Sequence, residues 1–358
     1  MPRRQFPLLL VSLLALALGS AAAHAQSIPI TSIVTTLNDS DGALTTTING
    51  KAGANPGSMT FQNATRSITS FSTATTTFNV ASLADAAYIR RNSVSVAQSS
   101  IWYANATSPT TERQGAYVTN YQGGSGSILL ANDLTRGSDN TFVNGASGAA
   151  SGNIERLDFV FTGGLTVSPG LAFTVMDRGV AGAHDAFKIA VITGWDPIGE
   201  VPTSYGTLVS QAANWGSTNS VADFGYTLLR YSAGDNGGNA NNLTTYNAGN
   251  ETGTQGIAGM LFTGAALGLT NGDKIYGYSL FAGDVTGSGS QLIGFTNSTY
   301  FPTNTADING GIDLASVNGL ALQDIAFSAV PEPGTYALAA VAVMAAGAVV
   351  HRRRRTVR

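Results

Sequence analysis

Between residues 28 and 327 the chain alternates short apolar or β-branched runs with clusters of turn-forming residues, the pattern of many strands on tight connections. Leu157-Asp158-Phe159-Val160-Phe161, Leu171-Ala172-Phe173-Thr174-Val175, Phe187-Lys188-Ile189-Ala190-Val191-Ile192 and the run from Lys274 to Phe281 show period two or are continuously apolar. The first pattern predicts strands with one covered face, the second strands covered on both. Val167-Ser168-Pro169-Gly170 and Thr270-Asn271-Gly272-Asp273 predict hairpin turns, the latter of type I′, because Pro presets φ and Gly and Asn accept a positive one. Helix is predicted only over residues 81–91 and 315–322, where alanine accumulates. The Gly, Asn and Thr of residues 232–256 predict a long loop. No fixed period marks a propeller or solenoid. The expected fold class is all-β, a large antiparallel β-sandwich or jelly-roll-like body.

The pattern changes at both ends. Arg3 and Arg4, an apolar stretch from Leu8 to Leu18 and the small-x-small sequence Ala23-His24-Ala25 predict a signal peptide over residues 1–25, cut before Gln26. The body then spans residues 26–329. In the last segment, 330–358, Val330-Pro331-Glu332-Pro333-Gly334 precedes an apolar, small-residue stretch from Tyr336 to Val350, which is followed by His351 and Arg352, Arg353, Arg354 and Arg355. An apolar helix at this point, flanked by snorkelling arginines, predicts one C-terminal membrane span with the basic cluster cytoplasmic and the body outside.

Charge supports that division. Only 11% of the chain is charged, against about 25% in ordinary soluble proteins, so hydroxyls and amides must make its surface polar. Residues 27–330 carry 20 acids against 11 bases. That balance repels nucleic acid, which is not an expected partner. Cysteine is absent, which excludes disulfides, thiolate metal sites and cysteine nucleophiles.

The tail resembles the PEP-CTERM sorting signal of Gram-negative bacteria, in which a Pro-Glu-Pro motif precedes one hydrophobic helix and a terminal arginine cluster. Pro331, Glu332 and Pro333 match the motif directly. The resemblance implies that an exosortase is a partner, cutting near the motif in bacteria that make exopolysaccharide. It also implies transient inner-membrane anchoring and delivery to the cell envelope, outer surface or extracellular matrix.

The body offers little chemistry. His184 is its one histidine, too few for an ordinary zinc site, and it reads as a solvated or backbone-bonded loop residue. Glu155, Asp158, Asp177, Asp185 and Asp196 are the carboxylates that a glycosidase could use, but period two sends Glu155 and Asp158 to opposite faces, and solvated edges and loops account for all five. Asn38-Asp39-Ser40-Asp41-Gly42 is similar to part of a calcium loop yet reads as an Asx-turn, and Asp284 and Asp307 are equally ordinary. Trp195 and Trp215 are candidates for stacking on sugar rings, whereas Trp102 and Tyr103, adjacent in one strand, cannot both face a ligand. The reading is a non-enzymatic exported protein with no cofactor, no metal and no catalytic residue. A carbohydrate-binding module is the alternative, and a carboxylate glycoside hydrolase the second alternative.

Overall fold

The structure, a computed structural model, describes residues 27–38, 44–48, 57–61, 65–91, 100–104, 120–124, 129–139, 141–142, 154–179, 184–216, 222–230, 247–302 and 311–328. The predicted signal peptide and tail, Asp39 to Gly42, Asp307 and the run at residues 93–96 lie outside these residues. The fold is all-β, and every ladder is antiparallel. In chain order, the strands of the larger sheet are β1 (Ile28–Pro29), β2 (Ser32–Asn38), β5 (Thr65–Ser72), β6 (Thr77–Leu83), β8 (Ser100–Ala104), β10 (Asp133–Asp139), β12 (Leu171–Gly179), β16 (Ala222–Arg230), β17 (Asn247–Thr263), β19 (Ala315–Ser316) and β20 (Leu320–Asp324). The smaller sheet holds β7 (Ala86–Arg91), β9 (Asn120–Gly124), β11 (Ile154–Thr166), β13 (Phe187–Asp196), β14 (Val201–Tyr205), β15 (Val209–Gln211) and β18 (Lys274–Ala282). A separate pair joins β3 (Leu44–Ile48) to β4 (Gly57–Phe61).

The two sheets meet through β12 and the centre of the smaller sheet. Phe173 and Val175 point into one core with Phe159, Tyr278 and Leu280, while Ala172 and Met176 point into a second core with Ile68, Phe71, Leu261 and Leu320. The second core exists because the larger sheet curls. Its remote strands β5 and β10 come side by side, and Asn132, just before β10, both donates to and accepts from the backbone of Ile68, at 3.1 Å each way. An amide side chain thus supplies the bonds that a neighbouring strand would have made. Strand β12 is covered on both faces, which is why its sequence is continuously apolar.

The runs at 157–161, 171–175, 187–192 and 274–281 all form strands. Other expectations are corrected. Residues 81–91 are not helical but form the end of β6 and all of β7, and residues 315–322 form β19, a turn and the start of β20. Alanine's helix preference loses here to ladder pairing between covered layers, where a small side chain lets the layers approach. The loop expected through residue 256 ends earlier, since β17 begins at Asn247 and pairs with β16.

The two turns form where expected but do different work. Leu171 N donates to Ser168 O at 3.1 Å with Gly170 at φ 83°, and Asp273 N donates to Thr270 O at 3.1 Å with Gly272 at φ 92°. Asn271 keeps a negative φ, so the second turn is not type I′. Neither closes a hairpin. Each carries the chain from one sheet to the other, and the two lie together, with Val167 and Asp273 joined at 2.8 Å and Gly272 donating to Val167 O at 2.8 Å.

Gly277 tests the register of the central ladder. It has φ 125°, and a Cβ there would sit 2.0 Å from the carbonyl oxygen of Phe159, at the edge of the irregularity between β11 and β18. Gly277→Ala combines a backbone clash with a strained φ and is expected to cost about 3 kcal/mol or more in urea unfolding, whereas Gly294→Ala, which meets nothing within 4 Å, is expected to be silent.

Candidate functional site

Period two places Lys188, Phe281, Arg156 and Arg90 in one row across the smaller sheet, with Ala190, Ser279, Asp158 and Tyr88 in the next. This face points away from the larger sheet and is roofed by the segment after β18, where Phe301 packs on Phe281 with ring centroids 6.3 Å apart. Asp158 therefore has no solvent to ionise in and takes its partners from the protein. Arg156 Nε donates at 2.7 Å, Arg90 Nε at 2.9 Å and Ser279 Oγ at 2.6 Å. Burial alone would raise the Asp158 carboxyl, but the charges of Arg156 and Arg90 and the bonds from Arg156 and Ser279 hold it below the usual carboxylate range. Arg156 Nη2 adds a further bond to Asp158 Oδ2 at 3.1 Å, while Nη1 donates to the carbonyls of Leu292 at 2.7 Å and Ile293 at 3.0 Å, which pins the roof. Tyr205 completes the cluster 2.9 Å from Ser279 Oγ, and burial pushes its hydroxyl well above the ordinary range.

A second polar group closes the far end of β12. His184 Nδ1 lies 2.9 Å from Asp177 Oδ2, and Asp177 Oδ1 accepts from the backbone N of Asp313 at 2.6 Å. Arg178 Nη2 binds Asp313 Oδ2 at 2.8 Å. Burial raises the Asp177 carboxyl despite the opposing bond and charge of His184. The imidazole stacks on Trp215 at 4.7 Å, and Trp215 Nε1 donates to the carbonyl of Asp185 at 2.6 Å. Gly179 and Gly216 leave room for that ring, since a Cβ at Gly179 would come 2.9 Å from His184 Nδ1 and one at Gly216 3.5 Å from its Cδ2.

The carboxylates and histidine read from sequence as solvated are thus corrected at four positions. Glu155, Asp158, Asp177 and His184 are all buried. Asp158 and Glu155 do not act together: Asp158 is held by the two arginines, while Glu155 has both carboxylate oxygens buried and unbonded. Burial and then the charge of Asp284 push the Glu155 carboxyl up to about 8. Asp196 is an Asx-turn cap that accepts from Ile198 N at 2.9 Å, and Asp185 lies in the loop before β13. The structure separates the two tryptophans. Trp215 is buried, with its faces taken by protein, whereas Trp195 is half-buried at the outer end of β13, 5.4 Å from the ring of Tyr88. Trp102 stands in β8 as expected. Sequence reasoning missed the Asp158 cluster, although Arg156-Leu157-Asp158 places opposite charges two apart in an otherwise apolar strand.

A cleft of about 560 Å³ opens between the two sheet-crossing turns, lined by Phe78, Leu171, Thr263, Leu269, Asn271 and Asp324 among others. It lies where β20 ends and the chain leaves towards its tail. Among the described residues no group of three or more His, Asp or Glu side chains is placed to hold a metal, and no helix is long and apolar enough to cross a membrane.

Residues 329–355 match the PEP-CTERM protein-sorting motif. That match marks the chain as an exported, envelope-directed protein whose processing partner is an exosortase. No curated protein and no solved structure matches the chain.

Removing the charge of Asp158 leaves two arginines uncompensated in the interior. Asp158→Asn is expected to lower stability by about 3–5 kcal/mol in urea unfolding at pH 7. Because the folded state depresses this carboxyl, its stabilisation is full above the unfolded value near 4 and is lost as pH falls through the folded value. The deficit of the variant must therefore shrink as the carboxyl is protonated in acid, and a deficit independent of pH would show that charge is not the cause.

Proposed function

We propose that the chain is an exported, non-enzymatic protein of the cell surface or exopolysaccharide matrix, sorted by an exosortase that acts on residues 330–358. The PEP-CTERM match at the tail carries this reading. A signal peptide over residues 1–25 would begin export, and the stretch from Tyr336 to Val350 with Arg352 to Arg355 would hold the chain in the inner membrane until the cut. The body, read as a sandwich of two unequal curled sheets, is what is delivered.

The chemistry of the described side chains supports a structural role. Asp158 is spent on Arg90 and Arg156, Asp177 on His184 and the backbone of Asp313, and Asp196 on its own turn. Among the described residues, most of the exposed positions are Ser, Thr, Asn and Gly. Such a coat is neutral and hydrated and suits a protein embedded among polysaccharide chains, where hydroxyl and amide groups exchange hydrogen bonds with sugars and water on equal terms. A binding role for the body has one specific support, the partly exposed Trp195 beside Tyr88, next to a turn whose Ile198 is 94% exposed. An aromatic face in that position can stack on a sugar ring.

Intact-mass analysis of the protein recovered from membrane and matrix fractions of an exosortase-bearing host tests the sorting. A cut near Glu332 is expected in the matrix form, and a Pro331→Ala, Glu332→Ala, Pro333→Ala variant is expected to stay uncut in the membrane. Wild-type protein that still ends at Arg358 in the membrane fraction alone would overturn the reading. For sugar binding, affinity electrophoresis in matrix polysaccharide is expected to show retardation that Trp195→Ala weakens at least threefold, with Trp215→Ala affecting folding instead. Equal mobility of wild type and Trp195→Ala removes that role.

A further inference from the structure

The cleft between the two sheet-crossing turns is open and largely apolar. Its walls include Phe78, Val167, Pro169, Leu171, Ala265 and Leu269. Pro169 and Ala265 are exposed and Leu269 is half-buried, so apolar surface stands in water there, which favours a guest that covers it. The amides of the wall are already spent. Gly264 N donates to Leu171 O at 2.8 Å, Leu171 N to Ser168 O at 3.1 Å, Asp324 N to Gly170 O at 3.0 Å and Thr270 N to Asp273 Oδ2 at 2.8 Å. A guest finds no free donor at those four positions, so it docks by apolar contact rather than as an added strand.

The chain itself supplies such a guest. Asp324 stands in the wall, the single helical turn Ile325–Ser328 advances about 6 Å, and Ala329 and Val330 add up to about 7 Å. The cleft is therefore within reach of Val330. Pro331 and Pro333 have no backbone N–H to satisfy, and each biases the residue before it, Val330 and Glu332, towards extended backbone. Residues 330–333 thus favour the polyproline II form, whose period of about three residues puts Val330 and Pro333 on one edge and Glu332 on another. That sorting gives the cleft an apolar edge and turns the glutamate away from Asp324 and Asp273, whose charges would repel it.

We propose that the cleft is the seat of this chain's own residues 330–333, an intramolecular contact that withholds the Pro-Glu-Pro motif from the exosortase until the segment is released. The delay to cutting rests on the sorting role proposed above; the docking itself does not. A guest joined to the wall through a few residues is present at an effective concentration on the order of millimolar, so a contact too weak to hold a free peptide still holds its own chain. The prolines lower the cost further, because they set the extended form before docking. Weak docking suits the role, since the seat must empty for the cut.

The chain has no cysteine, so introduced pairs report the contact directly. The full chain is purified in detergent from a host without exosortase, carrying Val330→Cys with either Ala265→Cys in the cleft or Ile198→Cys at the turn between β13 and β14. A disulfide needs Cα atoms about 4.4–6.8 Å apart. The Ala265 pair is expected to close within one chain roughly tenfold faster than the Ile198 pair. Equal rates would overturn the docking and leave the cleft to an outside ligand, and a cross-link between two chains would overturn it by giving the cleft to a second copy. In an exosortase-bearing host, Ala265→Trp fills the cleft from an exposed position and is expected to speed cutting about threefold, as a motif free in only about a third of chains requires. Cutting unchanged by Ala265→Trp would overturn the withholding even where the cross-link forms. A wild type that is never cut removes the sorting role and the withholding with it, while the docking stands or falls on the cross-link, which is read without the enzyme.

Discussion

Strand β12 has water on neither face. That constraint organises the body, because a strand covered on both sides demands two cores, and the second core demands that the larger sheet curl round on itself. Phe173 and Val175 serve the first core and Ala172 and Met176 the second. The curl is closed by the amide of Asn132 on the backbone of Ile68, a polar contact that works because it completes a ladder rather than interrupting one. The turn at Ser168 to Leu171 follows from the same demand. It must hand the chain from β11 in one sheet to β12 in the other, and it does so beside the turn that hands β17 on to β18.

A chain so poor in charge buries much of what it has. Asp158 with Arg90 and Arg156, and Asp177 with His184, Arg178 and Asp313, are interior groups. Buried pairs of this kind add little net stability over well-packed apolar groups, but breaking one is costly, so their effect is to forbid alternatives. A slip of one residue in β11 would turn both Asp158 and Arg156 into the apolar core and set Leu157 towards Arg90. In a body made of many similar Ser, Thr and Gly-rich strands, where register is weakly specified by pattern alone, fixed charges supply the distinction.

Much of this architecture was legible, and the failures have a common cause. The strands at 157–161, 171–175, 187–192 and 274–281 announce themselves because burial writes apolar runs directly into sequence. The turns announce their positions through Pro169, Gly170 and Gly272, but not their destinations, since a turn with glycine at a positive φ uses the same residues whether it joins neighbours or crosses between sheets. Residues 81–91 misled because alanine is both a helix former and the residue that lets two layers approach. Asp158, Glu155 and Asp177 misled because a polar residue in a strand looks solvated until the covering segment is known, and the roof over Asp158 comes from residues 285–302, far along the chain. Only Arg156-Leu157-Asp158 carried a usable hint.

The geometry of the exit joins the body to its tail. Asp324 N donates to Gly170 O at 3.0 Å, its carboxylate caps the turn Ile325–Ser328 through Ala326 N at 2.8 Å, and the matched motif begins at residue 329. Five residues at up to about 3.6 Å each give a reach of roughly 18 Å. The matched residues therefore begin within that reach of the edge built by the two sheet-crossing turns, so an exosortase that reads them would work beside that edge. The edge is made of Ser168, Pro169, Gly170, Asn271 and Gly272, with Asp273 and Asp324 as its acids and Lys274 beginning the strand behind it. Small residues and fixed turns leave little there to clash, while the acidic body as a whole is repelled by an anionic bilayer.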